Sequence, residues 1–403
     1  MSSSTNAHAH NFDTLSSHPI HPASKKALSS LPEYAFVDPT KLYHDSRSAR
    51  LLLDSARASI AARLKVSADE VSFIPSGNAG IDLTISGIIN ALTNKTVVYS
   101  AVEQKAIIER LKDFSTFEIA VDNHARVNED QFLSSLEINK PGLAVLQFAN
   151  HEVGTQQPLS QIYQKCQELN IPLLVDATMT AGLVNLGSEW DVLLLKPATW
   201  GAPIGLDVLV VRRNIRFKSV LLDDGRENHK FSNNVSIPHA VAIGASFEDI
   251  TLNKVEIAKS LNLLINQLRQ LLSSHLDISL LGDPITRLPH VLAAIIKDVD
   301  GEALVSGLSK RGFAISSGSS CTPDQVKPSH VLNAMGFGEQ INIRISLPCD
   351  AASADIQDFV TALLATIKEI KSSKLKAGWV FITSGSVAIY FALLIFTTPI
   401  DFR

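Results

Sequence analysis

Between residues 71 and 211, short apolar runs rich in β-branched residues alternate with stretches of helical periodicity, and this alternation narrows the fold more than any other feature. The runs are VSFIPSG, TVVYSAV, GLAVLQFAN, IPLLVDAT, WDVLLLKP and LDVLVVRR. Strands with so few internal polar positions must be covered on both faces, and the intervening helices supply that cover. The pattern predicts an α/β domain built on a mostly parallel sheet. Ahead of it, Arg47–Leu64 repeats apolar residues at helical spacing, and Gly77 opens a turn into a helix over Ile81–Leu92. Around Phe231–Ile250 the chain is expected to leave this domain. LPHVLAAIIKDVDG, EALVSGLSKRG, FAISSG and INIRISL then read as a small α+β unit, followed by a helix over Ala352–Lys371. The expected division is a flexible polar segment at 1–25, a large domain at 26–245 and a small domain at 246–371.

From Ala377 to Thr398 the sequence AGWVFITSGSVAIYFALLIFTT carries no charge over 22 residues. Such a run suffices for a helix across about 30 Å of hydrocarbon. Lys371, Lys374 and Lys376 stand before it. The positive-inside rule then predicts a C-terminal transmembrane helix at 377–398, with the globular body anchored on the cytoplasmic side. Three cysteines, Cys166, Cys321 and Cys349, are too few for a disulfide framework and suit a reducing compartment. The N-terminus has no apolar run, so no secretory signal is expected. A net charge of −4 gives no electrostatic basis for a nucleic-acid partner. The twelve histidines lack metal-ligand spacing beyond a His-rich N-terminus with His8, His10, His18 and His21, and no metal site is assigned.

In parallel α/β sheets, ligands sit in the crevice beyond the carboxyl ends of the strands. Polar residues and glycines gather at four such ends: Ser76-Gly77-Asn78, Asn150-His151-Glu152, Asp176-Ala177-Thr178 and the loop Lys196–Gly205. Together they suggest one shared pocket.

Six segments, in order, resemble motifs of the cysteine desulfurases, pyridoxal-phosphate (PLP) enzymes of the class V aminotransferase family. They are DPTKLYHDSRSARLLLDSAR, FIPSGNAGIDLTI, FANHEVGTQQPL, LLVDATMTAG, GFAISSGSSCTPDQVKPSHVLNAMG and INIRISL. The resemblance runs from about Phe12 to Lys371 and implies a PLP-transferase-like large domain. It also implies PLP held by a lysine, a mobile-loop cysteine that takes sulfur as a persulfide, and a homodimer that passes sulfur to an acceptor protein. On this match Cys321 is the nucleophile, Asp176 pairs with the pyridinium nitrogen, and Arg344 grips the substrate carboxylate. Ser232 falls about where the family lends a hydroxyl to its partner's site.

Several family residues are replaced. The lysine position, eight residues after Asp191, holds Thr199, which cannot form an imine. Gln104 replaces the histidine that stacks on the ring, and Met179 replaces a glutamine that bonds the ring's phenolic oxygen. His151 takes the place of an asparagine beside the ring. In the phosphate-cradling turn, Asn78-Ala79-Gly80 stands where ATE is usual. Lys196, three residues before Thr199, takes the place of a phosphate-binding serine. The losses put PLP binding in question and leave three functions open. The first is a degenerate desulfurase that keeps Cys321 as sulfur acceptor. The second is an active PLP enzyme, a desulfurase or lyase, using a non-standard lysine such as Lys196. The third is a membrane-anchored scaffold or binding protein.

Overall fold

The computed structural model describes residues 10–16, 18–232, 234–317 and 329–373. The strands, in chain order, begin with β1 (His10–Asn11), β2 (Val71–Pro75), β3 (Val97–Ser100) and β4 (Thr116–Ile119). There follow β5 (Leu143–Gln147), β6 (Leu173–Asp176), β7 (Val192–Leu195) and β8 (Leu206–Val211). The last are β9 (Ile278–Leu281), β10 (Val291–Ile296), β11 (Phe313–Ala314), β12 (Ser316–Ser317) and β13 (Asn342–Ser346).

A seven-stranded sheet has the order β2-β8-β7-β6-β5-β3-β4. Its pairs are parallel from β7 to β4, while β8 runs antiparallel to both β7 and β2. Every residue of β3, β5, β6, β7 and β8 is buried, as a sheet covered on both faces requires. The helix Asn78–Ile89 packs closely against β2, because a Cβ at Gly80 would stand 2.2 Å from the Pro75 carbonyl oxygen. A second, four-stranded antiparallel sheet has the order β12-β13-β10-β9. The 37-residue helix Ile237–Ser273 packs on the helix His44–Leu64 and also touches β9 and β10, so it joins the two sheets.

Residues 353–373 are helical and bury Ile356, Phe359, Val360, Leu363 and Ile367. This helix is amphipathic and spends its apolar side on the protein's own core. Among the described residues no helix is long and apolar enough to cross a membrane. That finding corrects the expected C-terminal transmembrane helix, and the membrane-anchored, cytoplasmic-side placement falls with it. The segment 377–398 itself lies outside the described residues.

The N-terminal segment is not loose where it is described. The backbone N–H groups of His10 and Phe12 donate to the carbonyls of Gly312 and Ala314. Phe12 is buried between Phe313 and Phe359, with ring centroids 5.6 Å and 5.2 Å away.

Candidate functional site

At the carboxyl end of β6, Asp176 is buried. One carboxylate oxygen accepts the Thr178 N–H at 3.0 Å, and the other accepts the side-chain amide of Gln104, which also donates to the Thr178 hydroxyl. Burial raises the Asp176 pKa; the bonds from Thr178 and Gln104 and the charge of Lys196 oppose it. Thr199 follows β7 in the short turn Pro197–Trp200 and is buried. Its hydroxyl donates to the Lys196 carbonyl at 2.7 Å and lies 3.4 Å from the carbonyl of Thr178. The threonine therefore adjoins the Asp176 turn.

Gly77 adopts φ +72°, a left-handed conformation that favours glycine, and leads into the helix Asn78–Ile89. Its N–H donates at 2.9 Å to the carboxylate of Asp207, which projects from β8. Asp207 is buried, and burial pushes its pKa up to about 7. Gly77 and Lys196 lower it, and Asp176 adds to the rise. Lys196 is half-buried. Both carboxylates feel its charge, yet it forms no ion pair with either among the described residues. Met179 is half-buried against the core, and Asn78 is exposed.

The second half of the site lies against the small sheet. His151 is half-buried and stacks on His330 with ring centroids 5.8 Å apart. Burial, reinforced by His330 and Arg344, pushes its pKa down to about 3, so it is neutral at ordinary pH. Glu152 accepts from the Ser329 hydroxyl at 2.7 Å and from Asn342, while burial pushes its pKa up to about 7. Arg344, on β13, donates from Nη1 to the His151 carbonyl at 2.9 Å. Its Nη2 donates to the Asp13 carboxylate and the Ser16 hydroxyl, both at 2.8 Å. Glu103, next to Gln104, links the halves: its carboxylate accepts the Gln147 N–H at 2.9 Å and its carbonyl lies 2.8 Å from His330 Nε2.

The structure thus brings Asp176, Gln104, Thr199 and Lys196 together, and sets His151 and Arg344 side by side. Ser232 sits elsewhere, on a loop where its hydroxyl accepts the Asp224 N–H at 3.3 Å. Cys321 lies outside the described residues. Burial pushes the thiols of Cys166 and Cys349 up to about 12 and about 11, so neither supplies thiolate near neutrality. Sequence reasoning missed Asp207, Glu103 and Asp13. A lone acid inside the apolar run LDVLVV was a usable signal for Asp207; nothing local marks the other two.

A mostly parallel sheet with an acid at the end of a central strand, joined to a second, antiparallel sheet, has the architecture of a PLP-transferase-like α/β protein. The aminotransferase class-V family model matches residues 28–359. The chain belongs to that family, whose cofactor is PLP. It is 29% identical over 343 residues to a cysteine desulfurase of Nostoc sp., covering 81% of this chain and 85% of that one. A cysteine desulfurase IscS of Dictyoglomus turgidum is 24% identical over 383 residues, covering 91% and 97%. Among solved structures, a NifS-like protein superposes with a TM-score of 0.81 at 22% identity, covering 90% of this chain and 99% of its own. A NifS-like protein from Rickettsia africae gives the same score and identity.

Proposed function

We propose that this chain is a cysteine desulfurase-like protein that has given up standard PLP-dependent turnover of cysteine. The observation that carries the reading is Thr199, buried beside the Asp176 turn with a hydroxyl where the family has an amine. A hydroxyl can neither capture the cofactor's aldehyde nor serve as base for an α-proton, and losing both roles costs many powers of ten in rate.

The surrounding residues fit the cofactor poorly. The Asp176 carboxylate is engaged by Gln104 and Thr178, so its pairing with a ring nitrogen would have to break those bonds. At the turn that would cradle a phosphate, the Gly77 N–H already serves a carboxylate, that of Asp207. A buried acid there opposes a dianion.

Lys196 favours a second reading, an active enzyme with a moved anchor, because its charge reaches both Asp176 and Asp207. One measurement separates the two. The purified chain mixed with PLP should show no yellow band that survives dialysis and vanishes with borohydride, whereas Thr199→Lys should gain one. A persistent, borohydride-sensitive band in the natural chain, lost in Lys196→Gln, would establish the second reading and remove the first.

On the first reading Cys321 accepts sulfur from a donor persulfide and hands it to an acceptor protein. Persulfide labelling that disappears in Cys321→Ser tests this. The chain is further read as a homodimer. Phe36, Leu42 and Tyr43 are exposed, as are Val220, Leu221 and Leu222. Their loops approach each other around a cavity lined by Pro39, Thr40, Gly225 and Arg226. Exposed apolar groups of this kind mark interfaces. Ser232 belongs to the same region, where it would reach a partner rather than its own Asp176. Sedimentation of a single monomeric species would overturn this part.

A further inference from the structure

We infer that Asp13 is an internal carboxylate ligand of Arg344, and that it sets the site's selectivity by making any external carboxylate compete with it. The inference rests on the proposed role of Arg344 as the carboxylate-gripping residue. Arg344 is 9% exposed, and its guanidinium is almost fully spoken for. One terminal nitrogen donates to the His151 carbonyl, and the other donates to the Asp13 carboxylate and the Ser16 hydroxyl. Only Nε is without a partner among the described residues. A two-pronged bridge to a substrate carboxylate needs two neighbouring N–H groups; of the five, the two left open lie on Nε and Nη1, and each edge that could hold a carboxylate includes the engaged Nη2.

The occupant is held in place by more than its own charge. Asp13 bridges to Ser346, two residues along β13 from Arg344. The Ser346 N–H donates to the Phe12 carbonyl at 2.7 Å, and the Leu15 N–H donates to the Ser346 hydroxyl at 3.1 Å. Phe12 is buried among Phe313 and Phe359. A carboxylate tethered this way acts at an effective concentration on the order of millimolar or above, so a free amino acid must outbid it. The remaining acids near the site, Glu103, Asp176, Glu152 and Asp207, are all buried. With Arg344 neutralised, Lys196 is a cation whose charge still reaches the β6 end.

The test uses the purified full chain without PLP, so its outcome is independent of whether an aldehyde is captured. Binding of L-alanine and of L-alaninamide, which lacks the carboxylate, is measured by titration calorimetry. Asp13→Asn should bind L-alanine about ten-fold tighter than the natural chain or better. L-alaninamide should not change, and adding Arg344→Gln should abolish the gain. Equal L-alanine affinity in the folded Asp13→Asn variant, or an equal gain for L-alaninamide, would overturn the inference. The second measurement needs no substitution. Saturating L-alanine should shift the Asp13 side-chain carboxyl carbon resonance of the natural chain, and L-alaninamide should not. An unmoved resonance at saturation counts against the inference even if the variant fails to fold. A borohydride-sensitive band in the natural chain would end the degenerate reading and leave this result standing.

Discussion

At the ends of β6 and β8, Asp176 and Asp207 are buried with Lys196 as their neighbouring cation, and it ion-pairs with neither among the described residues. Against the small sheet, Arg344 is buried with each terminal nitrogen engaged by Asp13, Ser16 or His151. The first half carries acid in excess, and burial raises the pKa of both carboxyl groups. The second half spends its one strong cation on the protein's own N-terminal segment. The contrast teaches that the buried charges of one site can be handled in two ways. Its charges can go uncompensated, or they can be compensated from within.

The sharpest way to break this comparison is to release the N-terminal segment. Phe12→Ala should cost about 3–5 kcal/mol by denaturant unfolding, since it empties a fully buried aromatic position. It should also speed hydrogen exchange at the Thr14 and Leu15 amides. A loss below about 1 kcal/mol would mean that the segment is a weak occupant and that Arg344 is free.

Next comes the acidic half. Burial raises the Asp207 pKa to about 7, so between about pH 4 and pH 7 the native state binds more protons than the unfolded chain. The sign follows. The contribution is complete below pH 4 and is lost as pH rises through 7. Asp207→Asn keeps an oxygen for the Gly77 N–H and removes the charge. It should gain stability over the natural chain above pH 7, by up to about 4 kcal/mol, and flatten the pH dependence of unfolding. Equal slopes in the two chains would show that the carboxylate is already compensated. Glu152, also raised to about 7, shifts stability in the same direction and stays in both chains.

The smallest effect tests Gln104. Gln104→Ala removes the amide that holds Asp176 and Thr178 and should cost about 1 kcal/mol. If the family's use of Asp176 survives, this variant should also bind added PLP better than the natural chain. Unchanged affinity would mean that Gln104 does not block the acid.

Much of the fold was legible. The runs that became β2, β3, β5, β6, β7 and β8 stand out because each is almost wholly buried and mostly apolar, with few interior polar residues such as Ser72 and Asp207. The edge strand β4 was missed, since its middle residues Phe117 and Glu118 are exposed and no apolar run marks it. The reversal of β8 was invisible too, because an apolar pattern reads the same in either strand direction. The charge-free run at 377–398 satisfied the length rule for a membrane helix, yet composition alone does not establish a helix.

The order of motifs by itself pointed to the family and singled out Asp176, Gln104 and Thr199 by their match to its segments. Only the tertiary structure decided what those residues bond to. Asp13 and Arg344 are 331 positions apart, and Gly77 and Asp207 are 130 apart. Periodicity records which face of an element is buried; it carries no information on which distant charge that face will meet.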